Sequence, residues 1–321
     1  MAGRKIELMH GATPLYLLPN MSDELGVDVY IKRDDMTAVG LGGNKIRNLE
    51  YLLGEAVAGG HKVVVTAASV RSNYLRIFTA CCNKLGLKPV VFIRGGEPAE
   101  PPSGNLLCVL LLGGEVHYVE TEDPFDDKIL NAMYSYDPDA YVIHLGLHSG
   151  PVAAMGYIDA MQEMKAQFDT LGICPKAIYT AVGSGCTYAG LWAGAKLYAP
   201  MKVVGISVNL EPDFLQKLIT EDIEKASAAV GSPLPVPQEE LDIRGHLRHP
   251  GYGKVNAQCM DAIQKVGRWE GILLDPVYTA KPAAAIIEDA GQYQKGDSVV
   301  LLHTGGSPNI FAAGAQMLAY I

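Results

Sequence analysis

Positive charge is scarce in this chain of 321 residues. Its 26 lysines and arginines are outnumbered by 35 aspartates and glutamates, and the cations never gather into a basic run. A net charge of −9 therefore argues against nucleic acid or an anionic membrane as a partner. An anionic small molecule would need local donors, because the overall field disfavours it. Long apolar runs are missing too. The strongest, residues 106–112, is far too short to span a bilayer, and residues 1–10 lack the apolar core of a secretory signal. The expected location is cytoplasmic. Cysteine is sparse and unpatterned. Cys81, Cys82, Cys108, Cys174, Cys186 and Cys259 show neither Cys-x-x-Cys spacing nor the Cys/His rhythm of a zinc site. They read as small buried hydrophobes in a reducing compartment, and no metal is expected. Disorder is excluded as well: 49% of residues are hydrophobic and only 19% charged, which is enough for a large core in one α/β unit or two lobes.

What is present is a repeated alternation of strand and helix. Residues 27–32, 62–67, 89–93, 115–119, 177–181, 202–208 and 298–303 read as short strands. Between them, residues 45–58 carry Ile46, Leu49, Leu52, Leu53, Ala56 and Val57 at the spacing of one helix face, closed by Gly59-Gly60. Residues 73–85, 104–112, 151–168, 187–198, 255–266 and a last stretch from Asn309 read as further helices. This alternation predicts an α/β fold, mostly parallel, with helices on both sheet faces. The proline-rich residues 231–240 read as a surface loop rather than a linker.

Five short motifs fall where such a fold collects ligands. Gly183-Ser184-Gly185-Cys186-Thr187 lies between a strand and a helix, so its backbone N–H groups and the helix dipole make a phosphate cradle. It lacks a Walker lysine, and a plain strand-to-helix turn is the alternative. Gly42-Gly43-Asn44-Lys45 puts a lysine at a helix start, where the dipole lowers an amine's pKa and suits a nucleophile. The alternative is an ordinary solvated lysine. Ser69-Val70-Arg71-Ser72-Asn73-Tyr74 offers hydroxyls, an amide and a guanidinium at a helix N-terminus, either as a carboxylate site or as simple capping. Tyr278 sits in the tight segment 274–281 as a proton-transfer candidate or a structural tyrosine. In His303-Thr304-Gly305-Gly306, Thr304 ends a strand at the ligand-binding sheet edge, while His303 reads as packed.

Taken in this order, together with Thr13-Pro14-Leu15, Lys32-Arg33-Asp34-Asp35 and residues 42–51, the motifs resemble the tryptophan-synthase-β-like (fold type II) pyridoxal-phosphate enzymes over nearly the whole chain. Within that family the chain is similar to the branch holding D-cysteine desulfhydrase and 1-aminocyclopropane-1-carboxylate (ACC) deaminase. The resemblance implies two α/β lobes with the cofactor between them. We place residues 1–47 and 156–321 in a large cofactor-binding domain and residues 48–155 in a small one. It also implies a homodimer acting on a small amino acid. Lys45 matches the Schiff-base lysine, Asn73 the partner of the cofactor's phenolic oxygen, and Thr304 the hydroxyl partner of its pyridine nitrogen. Gly183, Ser184, Gly185, Cys186 and Thr187 match the phosphate cup. Ser72 and Tyr278 match the acid/base residues, and Arg71, Ser72, Asn73 and Tyr74 fall at the substrate carboxylate site.

The departures bear on substrate. Thr279 follows the tyrosine where ACC deaminases carry glutamate. Arg71 and Tyr74 stand where Gln and His or Gln are usual, and Asn48 where a phosphate-binding lysine is usual. Cys186 and Tyr188 replace Gly and Gln in the phosphate loop. The leading reading is α,β-elimination from a β-substituted alanine, D-cysteine giving pyruvate, ammonia and sulfide. Arg71 motivates an alternative in which L-cysteate loses sulfite. ACC ring-opening to 2-oxobutyrate is a second alternative, which Thr279 disfavours. A protein that only stores or senses pyridoxal phosphate is a third, which the intact Lys45, Ser72 and Tyr278 set disfavours.

Overall fold

In a computed structural model of the chain, residues 4–321 are described. Residues 1–3, which open both the segment read for a signal sequence and the expected large domain, lie outside the described residues. The strands are β1 (Leu15–Leu17), β2 (Asp28–Lys32), β3 (Val63–Ser69), β4 (Lys88–Arg94), β5 (Glu115–Val119), β6 (Tyr141–Ile143), β7 (Ala177–Val182), β8 (Lys202–Ser207), β9 (Asp242–Arg244) and β10 (Ser298–Leu302). The helices are α1 (Pro19–Leu25), α2 (Lys45–Ala58), α3 (Asn73–Lys84), α4 (Gly104–Leu111), α5 (Asp127–Tyr134), α6 (Gly150–Leu171), α7 (Cys186–Tyr198), α8 (Pro212–Ala229), α9 (Ala257–Glu270), α10 (Ala280–Asp289), α11 (Ser307–Ala312) and α12 (Gly314–Leu318).

One sheet has the order β1-β2-β10-β7-β8-β9, and the other β5-β4-β3-β6. Every pairing is parallel except β1 against β2. Strands covered on both faces lose alternation and read as continuous apolar runs. β10 (Ser-Val-Val-Leu-Leu) and β7 are buried at every residue for this reason. One face of the larger sheet packs on α9 and α10, the other on α6 and α7. The smaller sheet is sandwiched between α2 with α3 and α5. α6 and α7 approach very closely: a Cβ at Gly190 would lie 2.2 Å from the Ala154 carbonyl oxygen. Among the described residues no helix is long and apolar enough to cross a membrane.

Several elements lie outside the sequence-based set. β1, β6 and β9 are three residues each, too short to show a period. α8 is 18 residues long and buries Leu215, Ile219, Ile223 and Ala226 on one stripe. Glu221, Asp222, Glu224 and Lys225 crowd between those positions and dilute the apolar signal. The helix expected from Val255 begins at Ala257, because the Asn256 side chain caps it by accepting from Cys259 N at 2.8 Å. Cys81, Cys82, Cys186 and Cys259 are buried as expected, but Cys108 is half-buried and Cys174 exposed, the latter in the loop entering β7.

A buried ionic cluster lies where β2 meets α2 and α6. Asp34 accepts from Arg47 (2.9 Å to each carboxylate oxygen), Thr13 Oγ1 (2.7 Å) and the Tyr157 hydroxyl. Arg47 also reaches Glu163 at 2.9 Å, and Glu163 in turn pairs with Lys32. The cluster ties β2 to α2 and α6, so the helix that begins at Lys45 is anchored on the larger sheet.

Candidate active site

The carboxyl ends of β3, β4, β7 and β10 converge on a cavity of about 310 Å³. Open α/β sheets bind ligands at this edge. Lys45 enters it as the first residue of α2. The turn before it needs glycine: Gly42 and Gly43 have φ of 70° and 136°, and a Cβ at Gly42 would lie 1.9 Å from the Asp35 carbonyl oxygen. Asn44 then locks the turn, its N–H on Thr304 O at 3.1 Å and its Nδ2 on Thr187 Oγ1 at 3.0 Å. Burial holds the Lys45 amine below its usual pKa, and no carboxylate opposes that effect. The nearby Cys186 thiol is pushed up to about 12, chiefly by burial, so it stays neutral and provides no counter-ion.

Opposite Lys45, the loop leaving β7 turns into α7. Gly185 has φ of 96°, and a Cβ there would come within 2.7 Å of Ile219 on α8. Gly183 and Ser184 line the cavity, while Gly185, Cys186 and Thr187 form the first turn behind them. The start of a 13-residue helix is thus aimed at the cavity, a cradle for a phosphate. Asn48 does not reach it. Its Nδ2 donates to Ala153 O at 2.6 Å, which holds the side chain between α2 and α6.

Asn73 is oriented from behind. Its Oδ1 accepts from Asn105 Nδ2 at 2.9 Å, and Asn105 Oδ1 accepts from Arg76 Nε at 3.0 Å. Fixing the oxygen in this way leaves the Asn73 Nδ2 to donate on the cavity side. Ser72 caps α3 by accepting from Tyr74 N at 3.3 Å, and its hydroxyl faces that of Tyr278. Tyr278 is held by a turn built on the buried Asp275 carboxylate, which accepts N–H groups from Val277 (3.1 Å), Tyr278 (3.1 Å) and Thr279 (2.8 Å). The Tyr278 hydroxyl is hydrogen-bonded to that of Tyr252. Burial raises the pKa of both phenols, Tyr252 to about 12, so both are protonated near neutrality. Thr304 lines the cavity just beyond β10, and the neighbouring His303 packs beneath it, accepting from Gly305 N at 3.2 Å.

Lys45, Ser72, Asn73, Tyr74, Tyr278, Gly183, Ser184 and Thr304 therefore share one cavity. Arg71 does not line it; its side chain lies under Gly253, whose Cβ would meet Arg71 Cγ at 3.2 Å. Tyr74 touches the cavity, but its hydroxyl accepts from Thr66 Oγ1 of β3 at 3.2 Å, against the smaller sheet. Thr279 is fully buried, with its hydroxyl on Asp275 Oδ1 at 2.8 Å. Sequence reasoning missed Tyr252, Arg94 and Asn105. Tyr252 sits between Gly251 and Gly253, a loop signal; Arg94 directly follows a predicted strand on the ligand edge; Asn105 gives no local signal at all.

A recessed amine with a lowered pKa, a glycine cradle at a helix start, an oriented amide donor and a neutral hydroxyl fit pyridoxal phosphate as a set. The comparisons agree. Residues 6–305 match the family model described as pyridoxal-phosphate dependent enzyme. The chain is 37% identical over 320 residues to a Pyrococcus abyssi protein provisionally named 1-aminocyclopropane-1-carboxylate deaminase, covering 98% of this chain and 95% of the relative. It is 33% identical to a D-cysteine desulfhydrase of Klebsiella pneumoniae, covering 96% and 95%. A crystal structure described as that of an ACC deaminase homologue matches with a TM-score of 0.89 at 33% identity, covering 99% of this chain and 97% of that one. The chain belongs to the family of pyridoxal-phosphate-dependent enzymes of fold type II, in the branch that holds ACC deaminase and D-cysteine desulfhydrase.

Proposed function

We propose that this chain catalyses α,β-elimination from a β-substituted alanine, releasing the substituent, pyruvate and ammonia, with D-cysteine as the thiol member of that substrate class. The observation that carries this reading is the convergence of one amine, Lys45, and a chain of three hydroxyls, Ser72–Tyr278–Tyr252, on a single cavity. Lys45, the glycine cradle, Asn73 and Thr304 would hold the cofactor. When bound, pyridoxal phosphate supplies an electron sink for negative charge at Cα. Lys45 Nζ, held unprotonated more readily by burial, accepts the proton from Cα. The start of α3 at Ser72–Tyr74 holds the substrate carboxylate. Tyr278, protonated and backed by Tyr252, donates to the departing group. Released 2-aminoacrylate is then hydrolysed by water to pyruvate and ammonia.

Thr279 favours elimination over ring opening. The ACC deaminases that the chain resembles carry a glutamate at that place, and here the position is fully buried with its hydroxyl on Asp275, so no acid/base group follows Tyr278. The test is a panel of β-substituted alanines and ACC with the purified holoenzyme, read for pyruvate, 2-oxobutyrate, sulfide and sulfite. Pyruvate is expected to form at least about tenfold faster than 2-oxobutyrate, and Tyr278→Phe to lower kcat by about 10²–10³-fold with the cofactor still bound. Failure to form pyruvate from any β-substituted alanine would refute the reading, and tight cofactor binding without any turnover would favour a storage or sensing protein.

A pH dependence follows from the cradle. Asp222 of α8 is buried near Cys186, and its carboxyl group lies against Gly150 at the start of α6. Burial, followed by the charge of Glu221, pushes its pKa up to about 8. Its folded value is thus raised above the ordinary carboxylate value, so near neutrality the group is uncharged and does not repel a phosphate. It ionises as pH rises through about 8. Cofactor affinity, read by spectroscopic titration, is expected to fall between pH 7 and 9 in the wild type, and Asp222→Asn to lessen that fall. Identical profiles for the two proteins would remove Asp222 from the account.

A further inference from the structure

Of the side chains lining the cavity, two are strongly basic, Lys45 and Arg94. The elimination chemistry gives Arg94 no task. It is the last residue of β4 and the register partner of Ser69, three residues before Ser72. Its guanidinium donates to the Glu122 carbonyl oxygen at 2.6 Å but forms no ion pair within 4.0 Å among the described residues. Glu122 also lines the cavity; its carboxylate lies over Gly95, where a Cβ would meet its Oε1 at 2.6 Å. Arg94 is half-buried, and burial lowers its pKa, yet a guanidinium stays charged at any working pH.

The carboxylates of Glu122 and Asp123 act on it from a distance, but none is in contact, and a partly desolvated cation gains from an anion that a ligand brings into contact. Arg76 shows the contrast. It too lacks a carboxylate and leaves Nη1 unpartnered, but it lies outside the cavity, where it donates to Asn105 and to Gly42 O at 3.1 Å and meets no ligand. Arg94 instead faces the hydrogen-bonded Tyr252–Tyr278 pair, the end of the site where the leaving group is protonated. The substrate's own carboxylate already has the start of α3.

We propose that Arg94 determines specificity at this site, admitting alanines whose β-substituent is a multi-oxygen anion such as a sulfonate in preference to a thiol. The planar guanidinium matches such a group in two directions at once. The proposal rests on the elimination reading and deepens it. With cysteate the balance closes without an oxidant or reductant. The Cα–H and Cβ–S bonds break, a Cα=Cβ bond forms, the sulfur leaves as sulfite with the bonding pair, and the Cα proton goes to Lys45. Water then converts 2-aminoacrylate to pyruvate and ammonia.

The test compares wild type with Arg94→Gln as holoenzymes, using cysteate, cysteine and β-chloroalanine in both enantiomers. Retention of the bound-cofactor absorbance shows that the variant folds. Wild type is expected to prefer cysteate to cysteine, and the ratio of kcat/KM for cysteate to that for β-chloroalanine is expected to fall about 100-fold in the variant, the scale of one lost charge-assisted contact. Independently, 3-sulfolactate, which has no amine to react, is expected by calorimetry to bind wild type at least about tenfold more tightly than lactate, and the variant without that preference. An unchanged ratio would mean that Arg94 serves a part common to all substrates, and equal binding of the two hydroxy acids by wild type would likewise overturn the assignment. If no alanine is turned over, the elimination reading fails, and the calorimetry alone still decides the role of Arg94.

Discussion

Lys45→Ala is expected to lower turnover by about 10⁴-fold and to abolish the visible absorbance of the lysine-bound cofactor. The size of the effect follows from the cavity's contents. Lys45 is its one amine, and the other buried lysines are committed elsewhere: Lys32 to Glu163, and Lys281 to the Leu247 carbonyl oxygen. No neighbour is placed to take over the covalent attachment or the proton from Cα. Lys45→Arg should fail similarly, because a guanidinium keeps the charge but is neither nucleophile nor base at neutral pH. Noncovalent cofactor retention by Lys45→Ala, detected after gel filtration, would show that the cradle at Gly183–Thr187 survives. Undiminished turnover in that variant would contradict the catalytic role of Lys45.

Asp34→Ala is expected to cost about 3–5 kcal/mol of stability, the scale for removing one partner of a buried ion pair. Asp34 is fully buried, and its loss leaves the Tyr157 hydroxyl without that partner and strips two contacts from Arg47. Burial alone would raise the pKa of Asp34; the charge of Arg47, its hydrogen bonds and Lys32 together reverse this and hold it below the ordinary value. The folded value is therefore depressed. The associated stability is present above the unfolded carboxylate value, about 3.9, and is lost as pH falls through the folded one. Urea unfolding should show the wild type losing stability below about pH 4 more steeply than Asp34→Ala. Pairing the change with Arg47→Met should recover part of the loss, since the uncompensated cation goes too. A loss under about 1 kcal/mol at pH 7 would show that the cluster is not a structural anchor.

The legible parts of the site share one property: each is written within a few consecutive residues. Glycines that must take a left-handed turn before Lys45, a glycine loop opening α7, and Ser72 capping α3 all act over a single turn of chain. Their residue types therefore declare the local geometry. Asn105 is illegible for the opposite reason. It lies in α4, a helix assigned from periodicity, and its role in holding Asn73 depends on how α4 packs across α3, at a separation of 32 residues.

The two arginines mark the same division. From sequence, Arg71 is the cation beside the carboxylate site, because it adjoins Ser72. The chain turns tightly there, Ser72 N donating to Ser69 O at 2.9 Å, and Arg71 ends beneath Gly253, 182 positions later in sequence. Arg94 reads only as the residue after an apolar strand, yet parallel pairing sets it beside Ser69 at the cavity. Composition and periodicity by themselves determined the parallel α/β architecture, since that depends on backbone geometry that local residues dictate, while the cofactor was implied by the resemblance that the motifs carry when taken in order. Tertiary structure alone decided which arginine lines the cavity, because parallel strand register and loop packing between distant segments set where a side chain at a strand end points.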